Sequence, residues 1–357
     1  MATELDRWLS PQIRARFERL YYAEVNSLAH LDRLSRDPAF LENLRDGEAH
    51  VGLFADHGVV HVRDVAHQVL NVLDRAHGRL IPSRPSWRFS LMEGYGVLLA
   101  YFHDIGMFDA SAFGRAMHPE FALHSVFNPD LDEIIDAIWQ ENSANLAWHL
   151  TRLADQGALD QPPRVVLREL LALCMCHSKS KVPIDVLNGP AQLREVLIEA
   201  ATMDLRHLYG VQRLKRARQK LIQARQQEDA AQAAKWETVL HAAEDALAAN
   251  QAHESLLNPD LYRHYHQIPG DTFRWLLSDH PATRELVADA VDTVRALRCA
   301  DAMRQRGAVL KTSGGYEIFV SRQTARAIFS LQLGDSSLYL LELPDPISAG
   351  EANIASS

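Results

Sequence analysis

The stretch LMEGYGVLLAYFHDIGM, residues 91–107, constrains the fold more than any other part of the chain. From Leu91 to Phe102 it is apolar nearly all round, so a helix here has no solvent face and must be covered on every side. It ends in adjacent His103 and Asp104, and Gly106 follows, a usual residue at a helix stop. A carboxylate carried into an apolar interior costs several kcal/mol unless it is compensated. Asp104 therefore requires a partner from elsewhere in the chain.

The rest of the body supplies covering helices. From Pro11 to Leu34 the apolar residues Ile13, Phe17, Leu20, Tyr21, Val25, Leu28 and Leu31 recur at steps of three and four, as an amphipathic helix requires. Val59 to Leu73 repeats the pattern through Val62, Val65, Val69, Leu70 and Leu73. Further helices are expected around 119–126, 131–140, 145–154, 163–177, 193–208 and 281–304. Two regions differ in texture. Residues 212–253 are rich in Ala, Gln and charge, with strong helix propensity and few large apolar positions, and read as a projecting helical hairpin inserted in the body. After Arg306, GYEIFV, ARAIFSLQL and SSLYLLEL are short runs of β-branched and aromatic residues divided by turn signals, the pattern of a small antiparallel meander.

Composition bounds what such a chain does. It has 357 residues, 47% hydrophobic and 23% charged, as ordinary globular proteins have. Its net charge of −9 argues against a nucleic-acid-coating role, and the basic stretch 213–225 reads as a solvated face. The cysteines, Cys174, Cys176 and Cys299, form no CxxC pair, and Cys174 and Cys176 read as small buried hydrophobes. The opening MATELDRWLS has no basic segment leading into an apolar one, and no apolar run approaches the roughly eighteen residues that cross a bilayer. A cytoplasmic location without a membrane role is the expectation.

Three more places set an ionisable group beside an apolar helical stretch. DHGVVHVRDVAHQVL holds His57 and His61, LLALCMCHSKSK ends in His177 before its basic tail, and VRALRCADAMRQRG carries Asp301. Singly these are ordinary: a histidine on an apolar face is usually a hydrogen-bonded core residue, and Arg298 and Arg304 are available to pair with Asp301. Together they form a set of imidazoles and carboxylates, the donors that divalent Zn, Mn, Fe, Co or Ni accept. One cation would compensate Asp104 and Asp301 at once. Adjacent helical residues point about 100° apart, so His103 and Asp104 converge most easily at a helix end.

The order H…HD…H…H…D, with YFHDIGM after an apolar helix, an upstream HxxxH and a downstream CADAMRQR, resembles the HD superfamily of metal-dependent phosphohydrolases over roughly residues 56–306. The resemblance implies a mainly α, HD-domain-like helical bundle with the hairpin as an insertion and a small C-terminal antiparallel β element. Together with the patterns above, the expected domains are an HD-type helical domain over 1–306, a β meander over 307–343 and a disordered tail over 344–357. The resemblance further implies that His61, His103, Asp104 and Asp301 bind a first divalent metal ion. His118, in HPEFALHSV, and His177 would bind a second, with Asp104 bridging; His124 competes with His118, and Asp204 in AATMDLRHLYG competes with Asp301. Two such ions, about 3.5–4 Å apart, activate a hydroxide and stabilise a phosphoryl transition state. By likeness to the HxxxH of cyclic-nucleotide phosphodiesterases, His57 would be the catalytic acid that protonates the leaving oxygen; the alternative is that it caps a helix begun at Gly58. Glu120 would orient His118 or bias its helix terminus. Lys179, Lys181, Arg304 and Arg306 lie near these ligands and could hold phosphate oxygens.

The GYP signature of cyclic-di-GMP phosphodiesterases is missing, Met107 stands where that group has a phosphate-contacting lysine, and the runs typical of ppGpp hydrolases and dNTP triphosphohydrolases are absent. The expected activity is thus hydrolysis of a phosphate ester, of a nucleotide or cyclic nucleotide, with Mn, Fe, Zn, Co, Ni or Mg as cofactor. The rival is an HD-type sensory or interaction module that binds nucleotide and metal but turns over little. A homo-oligomer or protein partner would engage the 212–253 hairpin.

Overall fold

The computed structural model describes residues 4–24, 58–77, 85–107, 112–203, 205–248, 268–302, 308–312, 317–320 and 338–342. Helices dominate them. α1 (Pro11–Glu24), α2 (Val59–His77) and α3 (Ser86–Phe102) come first, followed by α4 (Ala112–Phe127), α5 (Asp132–Gln140) and α6 (Leu146–Asp155). α7 (Pro163–Ala172) passes directly into a 3-10 helix, Leu173–His177. Then come α8 (Ile184–Asn188), α9 (Pro190–Thr202), α10 (Leu205–Gln226), α11 (Ala230–Ala248) and α12 (Pro281–Ala302). Three strands, β1 (Ala308–Thr312), β2 (Glu317–Val320) and β3 (Leu338–Glu342), pair antiparallel in the order β2-β1-β3, with Leu310 opposite both Ile318 and Leu340. No helix among the described residues is long and apolar enough to cross a membrane.

α3 is the axis of the body. Residues from Val97 through Phe102 are all fully buried, as an apolar helix without a polar stripe demands. α2 and α12 pack along it. α2 turns Val62, Val65, Ala66, Val69, Leu70 and Leu73 inward and leaves Arg63 and Asp64 exposed, the amphipathic division its sequence carries. α1 closes another side, where Phe17 meets Phe102 edge-on at 4.7 Å between ring centroids. Two polar ties fix α3 lengthwise. Arg88 in its first turn forms a bidentate pair with Asp289 of α12 at 2.7 and 2.9 Å, and Tyr95 donates its hydroxyl to the Leu170 carbonyl of α7 at 2.6 Å.

Two glycines allow the close approach. A Cβ at Gly96 would stand 2.5 Å from Val69 Cγ1, so the Val69 side chain of α2 lies directly on the α3 backbone there. A Cβ at Gly106 would fall 2.2 Å from the His118 carbonyl oxygen and 2.4 Å from the Ala122 nitrogen. The turn after α3 thus rests directly on the backbone of α4.

Several helix limits differ from the sequence expectation. Pro119 was expected to start a helix, yet α4 begins at Ala112 and runs through it. The missing N–H forfeits one internal bond, and packing against the 103–107 turn outweighs it. The expected 163–177 helix tightens to 3-10 over its last turn. The expected 193–208 helix is broken by Met203, whose extended backbone (φ −60°, ψ 145°) separates α9 from α10. α10 and α11 run in opposite directions: Arg225–Glu237 and Arg218–Glu244 form nested ion pairs about the turn between them.

Candidate metal centre

Five elements bring ionisable side chains to one place. His61 lies in the first turn of α2, and His103 and Asp104 are the two residues after the end of α3. His118 projects from α4, His177 closes the 3-10 helix, and Asp301 lies one residue short of the end of α12. His61, His103, Asp104 and His177 are buried, Asp104 at 1% exposure. The side chains of His118 and Asp301 remain 20% and 31% exposed, so the group meets solvent on their side.

Asp104 divides its two oxygens between two pairs of imidazoles. Oδ2 lies 3.0 Å from His61 Nε2 and 3.1 Å from His103 Nε2, which are 3.3 Å from each other. Oδ1 faces His118 Nε2 at 3.7 Å and His177 Nε2 at 3.9 Å, and these two nitrogens are 3.0 Å apart. Asp301 Oδ1 is 3.6 Å from His61 Nε2, at the edge of the first trio. Ligands about 2.0–2.2 Å from one cation, at angles between octahedral and tetrahedral, lie about 2.8–3.6 Å apart. The first trio falls within that span, and the second is slightly looser.

The tautomers of two rings follow from their backbone partners. His103 Nδ1–H donates to the Ala100 carbonyl at 2.8 Å, and His177 Nδ1–H donates to the Cys174 carbonyl at 2.8 Å. Each neutral ring then offers its Nε2 lone pair toward Asp104, which is the orientation of a metal ligand. A lone pair facing a second nitrogen at 3.0 or 3.3 Å needs a proton or a cation between them. Electrostatics pulls the rings apart. Burial works against protonation of His103, but Asp104 and then Asp301 overcome it and lift its pKa to about 9. Burial and the neighbouring His118 and His103 push His177 down to about 3. Burial alone would raise Asp301; His103, His177 and His61 instead hold it below the usual carboxylate range.

His61, His103, Asp104, His118 and His177 therefore form two overlapping groups that could hold metal ions. Asp301 points toward them, and not toward Arg298, which bonds elsewhere. His124 is turned away: it is fully buried, and its Nε2 meets the Ala200 carbonyl at 3.0 Å. Lys179 is exposed at the edge of the loop after His177, and Lys181 pairs with buried Glu120 of α4 at 2.5 Å. Glu120 lies well inside α4 and so does not bias its N-terminus; burial raises its pKa and Lys181 opposes the rise. Cys174 and Cys176 are buried thiols held protonated by desolvation, Cys176 with a pKa of about 12. His57, Asp204, Arg304 and Arg306 lie outside the described residues.

Sequence reasoning took Arg298 only as a partner for Asp301 and missed the Glu120–Lys181 link. A glutamate beside a ligand and a lysine four residues after another were the available signals. No family model matches the chain, and neither a curated protein nor a solved structure matches it.

Proposed function

We propose that the chain is a metal-dependent phosphohydrolase that cleaves a phosphate ester, most simply of a nucleotide or cyclic nucleotide. The observation that carries the reading is Asp104, whose two buried oxygens each face a pair of imidazole nitrogens. The donor set fits divalent cations: four imidazoles, the tautomers of His103 and His177 fixed by backbone carbonyls, and a shared carboxylate. His61, His103 and Asp104, with Asp301 beside them, would hold one ion, and His118, His177 and Asp104 a second. Bound cations supply Lewis acidity toward a phosphoryl oxygen and a more acidic water. The chain's own part is to present the lone pairs, keep water from the buried side, and leave His118 and Asp301 open to an incoming ester. In the same reading His57 is the acid for the leaving oxygen, and Lys179 and Arg304 hold phosphate. Helices α10 and α11 are available to a second copy or a protein partner; 249–253 of the expected hairpin and most of 307–343 lie outside the described residues. A cytoplasmic location accords with three free thiols.

The limited opening also supports a second reading, a nucleotide- and metal-binding module with little turnover. Metal analysis of protein purified without chelator, then a screen of phosphomonoesters and cyclic phosphodiesters with added Mn, separates the two. Metal uptake with Mn-dependent hydrolysis supports the enzyme, and uptake without turnover supports the module. A chain that takes up no metal and hydrolyses nothing refutes both.

A further inference from the structure

We propose that Arg298 is a positioning residue for the second trio, fixing the backbone beside His177 to the helix that carries Asp301. The proposal rests on the metal-centre reading above. Arg298 is 5% exposed; its Nε–H donates to the Cys176 carbonyl at 2.6 Å and an Nη2–H to the Val182 carbonyl at 2.6 Å. No carboxylate pairs with it among the described residues. Taking a guanidinium out of water is strongly unfavourable, and an apolar side chain of similar size would fill the space without that penalty. A cation retained here is explained by what its two acceptors bracket.

They bracket residues 177–181. Cys176 immediately precedes His177, and the Val182 N–H returns to the Ser178 carbonyl at 3.1 Å, closing the loop between the two anchors. Lys181, inside the loop, ties it to Glu120 on the helix of His118. The His177 ring is held by the Cys174 carbonyl, and Arg298 adds a side-chain hold on the Cys176 carbonyl immediately before it. Asp301 stands three residues beyond Arg298 on α12, on the neighbouring position of the same face. α12 thus contributes to both trios: a carboxylate beside His61, and a guanidinium acting through the backbone at His177.

The charge of Arg298 makes the idea testable. Removing a positive group near a cation site favours cation binding by simple electrostatics. Loss of a positioning contact does the opposite. Full-length chain stripped with chelator is titrated with Co(II), followed by its visible absorption and by calorimetry, as wild type, Arg298→Gln and Arg298→Lys. The wild type should take up two equivalents. R298Q should keep the first within a few-fold and weaken the second by about tenfold or more, as loss of a supporting contact does at other metal sites. R298K should recover part of the loss, because an ammonium reaches one of the two carbonyls, and it keeps the comparison available if R298Q does not fold. Equal effects on both equivalents, a stronger second equivalent, or no difference overturns the proposal. A wild-type chain that binds no Co(II) removes the metal reading and the proposal together, so the two failures are distinguishable.

Discussion

Asp104 and Glu169 are both acids buried inside a helical body, and they meet that burial differently. Asp104 has four imidazoles around it, whereas Glu169 on α7 is fully buried and receives Gln161 Nε2–H on Oε1 at 3.2 Å. Burial pushes the Glu169 carboxyl up to about 7, against the pull of the Phe273, Gln161 and Trp275 donors. Below about pH 4.5 both folded and unfolded chains hold this proton, and the group has no effect on stability. As pH rises toward 7 the unfolded chain releases it first, so stability falls across that window and stays lower above it. Glu169→Gln should therefore stabilise the protein at pH 8 by on the order of 3 kcal/mol, with the gain shrinking toward pH 4.5. Urea unfolding of both chains at the two pH values checks it; a gain that grows on acidification contradicts it. At the proposed metal centre, Asp104→Asn should abolish uptake of both expected equivalents, while His118→Ala should lose only the second. Equilibrium dialysis against Mn or Co(II) reads the stoichiometry directly.

At the scale of elements, α3 is the sensitive part, because its glycines are contact surfaces. Gly96→Ala gains about 1 kcal/mol of helix propensity in an exposed helix. Here the added methyl stands 2.5 Å from Val69 Cγ1 in the α2 contact, and overpacking of about 1–3 kcal/mol should win. A lower denaturation midpoint with an unchanged slope is the expected result. α3 was also the most legible element in the sequence, since an apolar run without a polar face has one solution, burial. The gathering of side chains from α2, the turn after α3 and α12 was legible for a related reason: His61, His103, Asp104 and Asp301 interrupt apolar patterns that have no other use for charge. The choice of His118 over His124 rested on the resemblance and not on periodicity, because both sit in one apolar helix and the docking of the Gly106 turn on α4 sets which ring faces Asp104. The break at Met203 left no sequence signal either, as no Gly or Pro marks it. Its extended backbone depends on how α9 packs, which local propensity does not encode.

For the whole molecule, the centre joins elements far apart in sequence. His61 and Asp301 meet across the width of the chain, and a cation held between α2, the turn after α3 and α12 binds only the folded form. Folded stability should then rise with free metal by mass action, about 2.7 kcal/mol at one hundred times the dissociation constant. A thermal melt should shift upward by several degrees on adding Mn to chelator-treated protein, and Asp104→Asn should show no such shift. A shift of equal size in both chains would place the stabilising ion elsewhere.

The two imidazoles whose ring N–H groups rest on carbonyls three residues upstream, His103 on Ala100 and His177 on Cys174, have a consequence beyond geometry. Their aim is set by local backbone before any ion arrives. An ion arriving here would find two of its four imidazoles already oriented, so binding would carry a smaller ordering cost at His103 and His177 than at His61 and His118.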